Sequence, residues 1–374
     1  MAVRTGYALG LHICNEDSTC SVAKKEVLAR IWWAHYELER LMAVMTGRPS
    51  SSISKNCSVP LPLPLSSKDI EETIIESRLG SQAATSVSPF HTKTPASSSG
   101  SFGTSNRATP NSSVSTSEQA NSGSYLKNII QLSKITQHAL GFYVPGTGNQ
   151  TWQGVQETIM QLTAELEIWT ASLSDGLNFF KYGVFPRHRY KRERNTLDIF
   201  YHSTIILITR PCLCRLDRRI YDQRVTLSEF SQRSALTCVK SAKAIAGLLP
   251  DHPEFNLAML YEVGPWWIMV HVIMQSFVIL LLEISYELIQ LPHDRREITL
   301  LLKKLVRWLR AMKVNNEMAR RAYSLVMGLL RKLSETKEMK MVSLFIRHKS
   351  KISHPCVSVP RMLSANPIYR LTDD

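Results

Sequence analysis

The residues nearest to metal chemistry are Cys212-x-Cys214 and the run His12-x-Cys14 with Cys20 further on. Structural zinc needs four deprotonated ligands held as close pairs, usually Cys-x2-Cys twice. Neither grouping supplies them, so no metal ligand and no cofactor are assigned to this chain. For catalysis the sequence offers no Gly-x-Ser-x-Gly elbow, no Gly-x4-Gly-Lys-Ser/Thr phosphate cradle, no His-Glu-x-x-His and no Gly-x-Gly-x-x-Gly. His202 and His271 are the candidates for a site assembled from distant helices, but a lone histidine on an apolar helix is ordinarily a core residue. The chain reads as a non-enzyme, with no catalytic residue assigned.

Phosphate chemistry has two candidates. Arg187, Arg189, Lys191, Arg192 and Arg194 fall within eight residues after Pro186, a spacing that suits a nuclear-import signal, a phosphate-binding patch or a solvated turn. Further on, Arg296, Lys303, Arg307 and Arg310 share one side of a helix whose other side carries Ile298, Leu301, Leu305, Trp308 and Met312. Such a basic amphipathic helix fits a membrane surface, an acidic partner, or a place on the core with one wet face. The formal net charge of +14 is placed unevenly: residues 1–80 carry nine Lys/Arg and nine Asp/Glu, residues 291–374 eighteen and seven. A basic C-terminal end attracts acidic protein, nucleic acid or anionic lipid without selecting among them.

The elements that would position these residues are helices. The length of 374 residues, with 44% hydrophobic and 20% charged, is the balance of a folded soluble protein. No cationic start with an apolar run opens the sequence, and seven scattered cysteines read as free thiols in a reducing compartment. Val27, Ile31, Ala34, Leu38, Leu41, Met42 and Met45 recur at helical spacing, so the stretch from Glu26 predicts a core-facing helix that stops at Gly47-Arg48-Pro49. On that reading Trp32, Leu38 and Met42 are buried. Later segments with the same period are 125–139, 152–174, 195–217, 229–248, 258–289, 295–313 and 316–334, with breaks at Pro145-Gly146, Asp175-Gly176, Pro250-Asp251-His252-Pro253 and Pro292. Residues 264–282 lack a formal charge and have the length of a membrane span. His271 and Gln275 would be costly at its centre, so it reads as a buried helix, and no membrane partner is expected.

Between Ser81 and Ser124, 20 of 44 residues are Ser or Thr and no apolar period survives, the composition of a flexible linker. Ser88-Pro89, Thr94-Pro95 and Thr109-Pro110 there are candidate sites for proline-directed phosphorylation. The organisation expected is all-α: an N-terminal helical part over 1–80, a disordered Ser/Thr-rich insertion over 81–124, the remaining helices over 125–335 and an irregular basic tail over 336–374.

Arg30, Trp32-Trp33, Tyr36, Glu39-Arg40, Gly47-Arg48-Pro49, Cys57, Val59, Leu61 and Pro62, preceded by Ala8-Leu9-Gly10-Leu11-His12, resemble the regulatory domain of fungal zinc-cluster transcription factors. Glu39 stands where that family commonly has Asp, and Lys55-Asn56 replaces an acidic pair. Arg210-Pro211 resembles a helix-ending Arg-Pro of the same family, and Pro265-Trp266-Trp267, Trp308-Leu309, Ala319 and Ala322 resemble later elements, so the likeness extends to about residue 330. The resemblance implies a multi-helix domain that the insertion interrupts rather than divides. It also implies a transcription regulator in the nucleus, with transcription-machinery or regulator proteins, a second copy and a small-molecule effector as partner classes. In that family DNA is bound by a six-cysteine zinc cluster upstream of this domain, and nothing in this sequence matches it. Zinc and direct DNA binding are therefore expected only with such a module, and the alternatives are a DNA-binding-deficient co-regulator, a helical enzyme or a membrane-surface protein.

Overall fold

The computed structural model describes residues 2–17, 19–47, 57–71, 73–77, 120–143, 151–181, 190–221, 229–286 and 295–335. Among these the regular elements are helices and no strand occurs. The described residues divide into two compact units, with the boundary between Tyr323 and Ser324. Within the first lie α1 (Ala2–Ala8), α2 (Val22–Thr46), α3 (Ser122–Leu140), α4 (Trp152–Ala171), α5 (Lys191–Tyr221), α6 (Glu229–Leu248), α7 (Pro253–Val263), α8 (Trp266–Tyr286) and α9 (Arg295–Met312). The boundary crosses α10 (Glu317–Glu335). Of the second unit, 324–335 are described, with Val326 and Leu330 buried and Leu325 and Leu329 exposed.

Helix α2 begins where the Ser21 side chain accepts the Lys24 amide and ends at Gly47, whose φ of 64° is the left-handed cap that glycine adopts without a Cβ clash. Its buried face is Ala29, Trp32, Trp33, Tyr36, Arg40 and Ala43. The expectation for Leu38 and Met42 fails, because they are 58% and 57% exposed, and Val27 and Ile31 are exposed too. At about 100° per residue the two sets lie half a turn apart, so α2 has two apolar faces and only one reaches the core. The aromatic face wins because each Trp or Tyr removes far more apolar area from water than a Leu or Met, at roughly 25 cal/mol per Å².

Trp32, Trp33 and Tyr36 share one hydrophobic cluster with Ile129, Ile130, Leu132 and Ile135 of α3, Ile159, Leu162 and Trp169 of α4, and Leu197, Leu207 and Ile208 of α5. On the other side of α5, α6 offers Ala235, Cys238, Ala242 and Ala246, all buried, and side chains this small let the two helices approach closely. The buried faces of α8 and α9 complete the body, with Phe277 and Trp308 fully enclosed. Trp308 donates its indole N–H to the Pro250 carbonyl at 2.9 Å, which ties α9 to the turn after α6.

Three boundaries differ from the sequence reading. Helix α3 starts inside the stretch read as linker: Asn121 caps it, accepting from Ser124 N while Ser124 Oγ accepts from Asn121 N. Residues 81–119, with the three Ser/Thr-Pro pairs, lie outside the described residues, as do 336–374, Pro145-Gly146 and Pro292. The single helix expected over 258–289 is two, because Pro265 has no N–H and forces extended backbone on Gly264 (φ −96°, ψ 164°). Helix α5 also does not end at Arg210-Pro211 but carries Pro211 in its interior. Helix α8 is long and apolar enough to cross a membrane, and 61% of that apolar window is buried inside the protein.

Trp32→Ala is expected to lower unfolding stability by about 3–5 kcal/mol, whereas Leu38→Gln on the opposite face should change it by no more than about 0.5 kcal/mol. Urea denaturation of the two variants checks this, and equal losses would put the wrong face of α2 in the core.

Candidate functional site

Buried polar groups need partners, and for Glu26, Arg30, Trp32 and Trp33 of α2 one loop supplies them. Trp33 donates its indole N–H to the Pro60 carbonyl at 2.7 Å, and Trp32 donates to Cys57 Sγ at 3.1 Å. Arg30 spreads its guanidinium over Glu26 Oε1 (2.7 Å), the Leu63 carbonyl (3.2 Å) and the Leu65 carbonyl (2.8 Å). Glu26 returns the contact by accepting the Leu63 amide at 3.0 Å. Burial raises the Glu26 pKa, while Arg30 and the Leu63 amide oppose the rise. Removing one member of such a partly buried ion pair costs more than the pair is worth, since the other charge is left without its partner.

The same loop is held from its far side by the start of α3. Asn121 Nδ2 donates to the Pro64 carbonyl at 2.9 Å, and Ser122 Oγ accepts the Ser67 amide at 3.1 Å. Gly123 lies so close that an added Cβ would fall 2.4 Å from the Leu63 oxygen and 2.3 Å from the Leu65 oxygen. Residues 57–67 are thus clamped between α2 and α3, and Arg30, Trp32 and Trp33 are the clamp. Arg40 lies with its guanidinium 4.5 Å from the Tyr36 ring centre. Gly47 is the cap already described, and Arg48 and Pro49 lie outside the described residues.

Glu37 was not singled out by the sequence. It accepts a hydrogen bond from Ser133 Oγ of α3, and burial pushes its pKa up to about 7 against the smaller opposing effects of Ser133 and Arg40. Nothing in the local sequence marks it, because its environment comes from another helix.

Arg210-Pro211 is built into a second polar arrangement. A proline at 211 cannot donate to the carbonyl of Leu207, four residues earlier. The Tyr143 hydroxyl donates to that oxygen instead, at 2.8 Å. Arg210 Nε in turn donates to the Tyr143 oxygen at 3.3 Å, and its guanidinium sits 4.2 Å from the Tyr143 ring centre. Burial raises the Tyr143 pKa to about 12 although Arg210 pulls it down, so the phenol stays a donor. The helix signals the orphan carbonyl in sequence, but only the fold identifies Tyr143 as its donor.

The basic residues do not form one site. Lys191, Arg192 and Arg194 lie in the first turn of α5, and Arg192 sits 5.9 Å from the ring centre of Trp267. Arg187 and Arg189 lie outside the described residues. On α9, Arg296, Arg307 and Arg310 are exposed while Ile298, Leu305, Trp308 and Met312 are buried, so that helix is seated on the core. His202 stands 3.4 Å from Asp198, and burial drives its pKa down to about 4. Burial, and then the Arg210 charge, lower that of His271. The polar Gln275 of α8 is satisfied by α5, accepting from Ser203 Oγ at 2.7 Å and donating to the Ser203 carbonyl at 3.2 Å. Among the described residues no three His, Cys, Asp or Glu side chains cluster as metal ligands.

Residues 1–171 match the family model described as fungal specific transcription factor domain. That span holds the α2 clamp, the loop it grips and Tyr143, and it ends before Arg210. The transcription regulator galc of Aspergillus niger is 25% identical over 89% of this chain and 43% of its own length. The thiamine repressible genes regulatory protein thi1 of Schizosaccharomyces pombe is 21% identical over 77% of this chain and 30% of its own. The chain therefore spans less than half the length of these relatives. No solved structure matches it.

Tyr143→Phe should destabilise the protein by about 1–3 kcal/mol, the cost of an unsatisfied buried carbonyl. The cost should shrink in a Pro211→Ala background, where a backbone N–H returns; a double-mutant cycle by urea denaturation measures the difference, and simple additivity would mean that Tyr143 does not serve this carbonyl. Glu37 gives a second test. Its folded pKa lies above the ordinary value of 4.5, so its unfolded form loses the proton first and stability falls as pH rises from about 4.5 to about 7. Glu37→Gln should flatten that portion of the stability profile, and an unchanged slope would place the titrating carboxyl elsewhere.

Proposed function

We propose that this chain is the non-catalytic regulatory part of a fungal transcription regulator, working in the nucleus through contacts with regulator or transcription-machinery proteins. One observation carries the reading: the match of residues 1–171 to the fungal specific transcription factor domain falls on residues that build the clamp joining α2, the 57–67 loop and α3. Two relatives named as regulators, aligned with most of the chain, support the same class. The mechanism is that of a helical body whose state is sensed by partners and passed to a DNA-bound assembly. A second copy of the chain and a small-molecule effector are the further partner classes. DNA is reached through a separate module, and zinc belongs to that module.

Fused to a heterologous DNA-binding module in yeast, the chain should raise or lower a reporter severalfold over the module alone. A fusion indistinguishable from the module would overturn the reading. The purified chain by itself should bind a specific and a scrambled duplex equally, because base readout needs an element aimed into a groove. Any residual association through Lys191, Arg192 and the α9 cations should fall steeply between about 50 and about 200 mM salt. Selective, salt-tolerant binding in a duplex titration would show a DNA-recognition surface within this chain.

A further inference from the structure

The Tyr143–Arg210 pair does more than mend a helix, for it forms part of the lining of a cavity of about 190 Å³. The cavity lies where the end of α3, the start of α4 and the middle of α5 meet. Phe142, Tyr143 and Trp152 supply aromatic surface, Pro211 adds a rigid apolar one, and Cys214 also lines it. An apolar cavity of about 150 Å³ accepts benzene, so on volume this one suits a single ring with a small substituent. Flat aromatic faces favour a planar guest, since offset or edge-on ring contacts add to area burial.

Arg210 fixes the sign of that substituent. A guanidinium is a cation with five N–H donors and no acceptor. The Arg210 Nε is taken by the Tyr143 oxygen, its face lies on the Tyr143 ring, and among the described residues no carboxylate pairs with it. A half-buried charge with no carboxylate beside it among the described residues has given up hydration, which an incoming anion restores. Guanidinium and carboxylate also match as planar, forked groups, so a carboxylate gains more here than a point anion would.

We propose that this cavity binds a small aromatic carboxylate, its ring against Phe142 and Trp152 and its carboxylate on the guanidinium of Arg210. The site gives a location and a ligand class to the effector of the functional reading and rests on that reading only for its purpose. Binding is measured directly on the purified chain, so its failure leaves the reporter test untouched.

Benzoate is the probe and benzyl alcohol its neutral counterpart, both titrated against the full chain by ligand-observed saturation-transfer NMR. Benzoate should bind with a Kd at or below about 1 mM, and more tightly than benzyl alcohol. Arg210→Gln should weaken benzoate about tenfold and leave the alcohol unchanged. Cys214→Trp, which fills the cavity while keeping the Arg210–Tyr143 contacts, should abolish both. If circular dichroism shows Arg210→Gln to be unfolded, Cys214→Trp decides alone: loss of benzoate binding supports the site, and retention overturns it. Benzoate binding no tighter than benzyl alcohol, or insensitive to both variants, also overturns it.

Discussion

The fold depends on a constraint set by its own aromatic core: an indole N–H taken out of water must find an acceptor. Trp33 and Trp32 are buried with a single face of α2, and their donors are met by Pro60 and Cys57 on the loop that leaves that helix's end. Arg30 extends the arrangement by bonding two further carbonyls of the same loop. A stretch punctuated by Pro60, Pro62 and Pro64 offers few amide donors to a sheet or helix, and its free carbonyls become the acceptors that the helix needs. The irregular backbone is thus ordered by side chains, and α3 closes over it because residue 123 has no Cβ to keep Leu63 and Leu65 away.

Polar satisfaction across elements recurs through the body. Trp308 reaches the Pro250 carbonyl, Gln275 pairs with Ser203, and Trp169 donates to the Asn128 carbonyl at 3.0 Å. Each places a polar atom of one helix on a fixed point of another, which sets register where apolar contacts alone would tolerate sliding. Pro211 is the extreme instance, because it creates an unpaired carbonyl within α5 and Tyr143 fills it from a separate element. The end of α3 is thereby locked to the middle of α5, and the cavity beside Arg210 is bounded by parts that this bond holds together.

The buried titratable groups have a structural meaning. Burial lowers the pKa of His202 within α5 to about 4 and lowers that of His271 within α8, as expected of core side chains with polar edges. Glu37, raised to about 7, is carried into the interface of α2 with α3 by the same helix face that buries Tyr36 and Arg40. Its ionisation and the packing of that interface are coupled.

The sequence by itself determined the helical class and most helix positions, because periodicity and the turn chemistry of Gly and Pro are local properties: Gly47 ends α2 and Pro250 to Pro253 separates α6 from α7 as the residues predict. Arg30, Trp32 and Trp33 also stand out in the sequence, at a spacing that resembles a known pattern. The sequence reading puts Leu38 and Met42 in the core and the fold reverses it, because both faces of α2 are apolar and the choice falls to whichever removes more surface from water against α3. Nor could the sequence tell that α5 survives Pro211, since the replacement donor lies 64 residues away and no local pattern points to it. Tyr143, Glu37 and the cavity exist only through contacts between separate helices. Their chemistry belongs to the tertiary structure because burial, charge partners and enclosed volume are properties of neighbours that the chain brings together only when it folds.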